Sequence, residues 1–150
     1  MQWYHFARIQ LLHNKPHLST GKSCTKSDSR FELPTSPGSL AERHMSYMTI
    51  LQQSKSHAQE IMSIGLAQAD EGVRVHSVQP LYASGQLLGV PASSDEAAAV
   101  ELRALRMCVL KLLREIERDT GWATQYRVRQ LLDEWKLPMG WGEETAETEL

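Results

Sequence analysis

Apolar residues along this chain recur at helical rather than strand spacing. Trp3, Ala7 and Leu11 repeat every four residues, with Tyr4 and Leu12 beside them, which predicts a first helix over Trp3 to His13 with one apolar face. Pro16 closes it, because proline disfavours helix in the residue before it and has no amide to donate. No Ser, Thr, Asp or Asn stands ahead of the pattern as an N-cap, and a missing upstream part is the expectation drawn from that. Ser39-Leu40-Ala41-Glu42 reads as a capping box opening a second helix towards Gln68, with Met45, Met48, Leu51, Ala58, Ile61, Met62 and Gly65 on its apolar face.

Residues 73–88 form a third helical segment interrupted by Pro80. Either Pro80 is the first residue of a short helix, where its missing amide costs nothing, or the helix bends there. Ser93-Ser94-Asp95-Glu96 offers a second capping box, followed by three alanines. Leu102, Leu105, Val109, Leu112, Leu113 and Ile116 then repeat at spacings of three and four, a broad apolar stripe that Asp119-Thr120-Gly121 stops. Thr120 is the expected cap of a fifth helix, Trp122 to Lys136, with Trp122, Val128, Leu131, Leu132 and Trp135 on its buried side. Trp122 is expected to be buried and to fix the angle between the fourth and fifth helices.

No segment alternates strictly as a half-buried strand does, and no fixed repeat occurs. The predicted fold is therefore all-α, about five helices. Residues 1–136 form one partial helical domain, with a flexible Ser-, Gly- and Pro-rich loop over 14–38. Residues 137–150 are expected to be a disordered acidic tail.

Charge and composition narrow the chemistry. The 150 residues carry 16 Lys and Arg against 18 Asp and Glu, a formal net charge of -2. Near-neutrality argues against broad contact with nucleic acid, and no apolar run of about 18 residues is present to span a membrane. The N-terminus lacks the basic start and apolar block of a secretory signal. Cys24 and Cys108 are far apart, so they suggest two reduced thiols rather than a zinc site or a disulfide framework. His13 and His17 have the spacing of two ligands on one helical face, but Pro16 lies between them and no third ligand is near. Two solvent-exposed loop histidines are the expectation, and His5, His44, His57 and His76 are scattered. Arg103, Arg106, Lys111, Arg114 and Arg118 are interrupted by Glu101, Glu115 and Glu117, a solvated helix face rather than a phosphate-binding one. Neither a nucleophile elbow nor a phosphate loop occurs. No catalytic, metal or cofactor-binding residue is assigned, and the chain is expected not to be an enzyme.

Three segments resemble a known family. Gln79-Pro80-Leu81-Tyr82-Ala83-Ser84-Gly85-Gln86-Leu87-Leu88, then Leu112 to Thr124 with Glu117-Arg118-Asp119-Thr120-Gly121-Trp122, then Arg127 to Trp135, look like the C-terminal part of the regulatory domain of fungal binuclear zinc-cluster transcription factors. The stretch Tyr4 to His13, with Pro16 and Leu18 after it, is similar to a helix of that domain leading into its turn. The resemblance implies a nuclear regulator of RNA polymerase II transcription and an all-α, non-catalytic module. The six closely spaced cysteines with which such factors hold two zinc ions and bind DNA are not in this chain, so no DNA-contacting or zinc-binding residue is carried over. A C-terminal fragment of such a factor is the expectation. Its partners would be the missing half of the domain, the transcription machinery or a second copy, through an apolar patch left uncovered. A helical adaptor unrelated to transcription is the alternative.

Overall fold

The computed structural model describes residues 1–14, 40–67, 70–89 and 96–142. Along the chain run α1 (Gln2–His13), α2 (Leu40–Ala67), α3 (Glu71–Arg74), a 3-10 turn (Val75–Ser77), α4 (Val78–Leu87), α5 (Glu96–Thr120) and α6 (Gln125–Glu134). No strand occurs among the described residues, and the fold is all-α as the spacing predicts. The two expected capping boxes and the expected loop beyond Asn14 lie outside the described residues.

The architecture follows from α4. Its ten residues include no charged side chain, and Val78 and Pro80 to Gly85 are buried. A helix buried over most of its surface must be surrounded, and α4 packs against α1, α2, α5 and α6, with only Gln79 and Gln86 exposed. Pro80 is not the first residue of its helix, since α4 starts at Val78, but as third residue it still lies in the first turn, where amides lack an intrahelical acceptor, behind the 3-10 turn. Gly85 is required for close approach, because a Cβ there would lie 2.7 Å from Cδ1 of Leu131 on α6. The carbonyl of Gly85 also accepts from Nε1 of buried Trp135 at 3.1 Å.

α5 presents Val109, Leu110, Leu112, Leu113 and Ile116 to the same core, with Leu102 and Leu105 partly buried at its edge. Gly121, with φ of +71°, ends the helix in the left-handed conformation that glycine adopts without a steric cost. The turn is then fixed from inside. Fully buried Thr124 donates its hydroxyl to the Leu113 carbonyl at 2.7 Å, and its amide to Oε2 of Glu117 at 3.0 Å.

Several expected positions are corrected. Trp122 is 56% exposed and does not wedge the two helices apart. α6 begins after Thr124 rather than Thr120, whose hydroxyl instead donates to the Ile116 carbonyl at 2.6 Å within α5. On α1, Trp3 and Leu11 face outward at 52% and 66% exposure, while Gln2 and Ile9 are buried and Phe6 packs against the core. The helix turns this way because both ends of the Gln2 amide are satisfied inside: Nε2 donates to the Ile61 carbonyl at 3.0 Å, and Oε1 accepts from the Ser77 hydroxyl. On α2, Ala58, Ile61, Met62 and Gly65 are buried as expected, but Met45 and Met48 are exposed. Beyond α6, Leu137 and Trp141 pack against the core cluster. Residues 143–150 lie outside the described residues.

Candidate functional site

The residues singled out in the sequence do not converge on a reaction centre. His13 is exposed at the end of α1, beside a hollow of about 420 Å³ that Ile9 and Leu87 also line. His17 and Cys24 lie outside the described residues, and Cys108 is half-buried, its thiol pKa pushed up by burial. Among the described residues no three His, Cys, Asp or Glu side chains stand together as metal ligands would. No helix among them is long and apolar enough to cross a membrane.

Two of the scattered histidines do meet. Nδ1 of His5 on α1 lies 3.1 Å from Nδ1 of His57 on α2, so one ring must donate and the other accept. Burial, followed by the positive charge of His5 and Arg8, lowers the pKa of His57, and Glu60 opposes them.

The basic series on α5 is not uniformly solvated. Arg106 reaches across to the end of α4, donating from Nε and Nη2 to the Leu88 carbonyl at 3.0 and 2.6 Å. Its guanidinium carbon sits 5.1 Å from the centre of the Trp135 ring, within cation–π range. Arg114 donates to the carbonyls of Gly142 at 3.3 Å and Trp141 at 3.4 Å, fastening the C-terminal turn. The acidic members are drawn inward too. Glu115 and Asp119 both pair with Arg74 of α3, at 2.9 and 2.8 Å.

The Arg106–Trp135 contact borders a cleft of about 610 Å³ at the junction of α5 with the end of α6. Leu102, Trp135, Leu137 and Trp141 form its apolar wall, and Arg103, Arg106 and Lys136 its cationic side, with Glu134 also on the rim. The Trp135 and Trp141 rings meet edge to face, 6.5 Å apart at 76°. Lys136 has φ of +55°. The Leu137 amide donates to the Leu132 carbonyl at 2.9 Å, and that of Lys136 to Asp133 at 3.1 Å. This is the Schellman helix stop, whose left-handed position is usually glycine. A lysine at such a stop was the one signal in the sequence that could have drawn attention to the cleft.

Comparison with known proteins places the chain beside a regulator. It is 42% identical over 138 residues to the transcription activator AMTR1 of Alternaria alternata, across 91% of this chain and 14% of that protein. The chain thus spans 14% of the length of the curated relative it matches. The likeness to a fungal transcription factor read from the residues is borne out by a relative named as a transcription activator. No family model matches the chain. No solved structure matches it either.

Proposed function

We propose that this chain is a regulatory helical segment of a fungal RNA polymerase II transcription factor, acting in the nucleus through protein contacts rather than catalysis. The observation that carries the reading is the similarity to a named transcription activator along nearly the whole chain. The helical build around a packed apolar core agrees with it. DNA recognition would come from a zinc cluster elsewhere in the factor, since the two cysteines here cannot form one.

Exposed apolar side chains give such contacts a physical basis. Trp3, Tyr4 and Leu11 on α1, and Met45, Tyr47 and Met48 on α2, are about half or more exposed. The partners would be further parts of the same factor or the transcription machinery.

The test is a fusion of the chain to an unrelated DNA-binding domain in a fungal host carrying a matching reporter, with a fluorescent tag reporting location. Nuclear accumulation and a changed reporter output are expected. A silent reporter with the fusion verified on its DNA site would reject the reading and leave the helical adaptor.

A further inference from the structure

We propose that the cleft between α5 and the end of α6 binds a small aromatic carboxylate, with Lys136 and Arg106 meeting its charge and Trp141 its ring. This goes beyond the transcriptional reading and does not rest on it.

Size and shape come first. A cleft of about 610 Å³ lies within the range of small-molecule sites, roughly 300–1,000 Å³, and is too small for a folded partner. Trp135 is buried with Arg106 over its ring and holds Trp141 edge to face at 76°, so the half-buried Trp141 indole is the ring that a planar ligand can meet. The Trp135 indole is itself held rigid, since its Nε1 is committed to Gly85.

The charge comes next. Nε and Nη2 of Arg106 are spent on the Leu88 carbonyl, which holds the guanidinium in place with Nη1 left over for a ligand. Neither Arg103 nor Lys136 makes an ion pair in the described residues. Three cations face one carboxylate, Glu134, and Glu134 already accepts from the Tyr82 hydroxyl at 3.3 Å and Gln86 at 3.2 Å. That balance leaves the lining net positive, which favours an anionic ligand.

The third observation separates function from packing. Glycine would serve the helix stop at position 136 better, because it takes positive φ without strain. A lysine kept in that conformation brings an ammonium to the cleft at a cost in stability, and strain of this kind is concentrated at binding sites.

The experiment titrates the full chain with 2-naphthoate, with 2-naphthalenemethanol as ring-only probe and acetate as charge-only probe, following indole N–H signals by NMR. Naphthoate is expected to shift the Trp141 signal, and each control to bind about tenfold more weakly or worse. Lys136→Gly should raise Tm while weakening naphthoate about fivefold. Lys136→Met, which keeps the backbone conformation and loses only the charge, should weaken it equally. No shift with naphthoate, equal binding of the alcohol, or undiminished affinity in either variant would overturn the proposal.

Discussion

The Oε1 of Gln2 accepts from the hydroxyl of Ser77, joining the first turn of α1 to the 3-10 turn that leads into α4. With the bond from Gln2 to Ile61 on α2, one amide holds three elements together. Gln2→Ala leaves the buried Ser77 hydroxyl without its acceptor and removes the added bond to the Ile61 carbonyl, which costs about 1–3 kcal/mol. Urea unfolding should show this as a lower midpoint with an unchanged slope, whereas the neighbouring Trp3→Ala should shift it far less.

Gly85→Ala tests the approach of α4 to α6. Alanine is the better helix former by about 1 kcal/mol. The added methyl group would nevertheless lie 2.7 Å from Leu131 Cδ1, and overpacking of this kind costs about 1–3 kcal/mol. A net loss of stability is expected, and Leu131→Ala in the same background should recover part of it. A stabilised Gly85→Ala protein would show that the two helices are not in tight contact.

The tryptophans separate cleanly. Trp122→Ala should change stability by less than about 1 kcal/mol, since the ring is mostly in solvent. Trp135→Ala removes a buried ring and its hydrogen bond to Gly85 and should cost about 3–5 kcal/mol. Thermal unfolding of the two variants side by side gives the comparison.

Burial of His57, with the charges of His5 and Arg8 beside it, makes stability depend on pH in one direction. The folded state holds the pKa of His57 below its unfolded value of 6.5. Between those values the unfolded chain binds more protons than the folded one, so stability rises with pH there. It is fully present above pH 6.5 and is lost as pH falls towards the folded value. Urea midpoints measured at about pH 7.5 and 5.5 should therefore fall on acidification, and His57→Gln should lessen the fall. An identical fall in the variant would place the dependence on other groups.

How far the fold was legible depended on the kind of burial. On α5, where Val109, Leu112, Leu113 and Ile116 are both apolar and buried, periodicity identified the inner face correctly. On α1 it chose the wrong side, because Gln2 goes inside as a satisfied polar group, and pattern reading counts every glutamine as solvent-facing. Trp122 and Trp135 are equal in size, and only the turn built on Thr124 decides which is covered. His5 and His57 lie 52 positions apart, so no local spacing could join them. The cleft was illegible for the same reason, since Leu102 and Arg106 meet Lys136 and Trp141 only after α5 and α6 have folded back on each other.

α4 touches both the α1–α2 pair and the α5–α6 pair. Lifting it out would strip each pair of its shared wall at once, so neither could persist as a separate folded half. A disturbance that loosens Leu81 or Gly85 is therefore felt at both ends of the molecule, and the helix with the fewest charges becomes the part through which its two faces can sense each other.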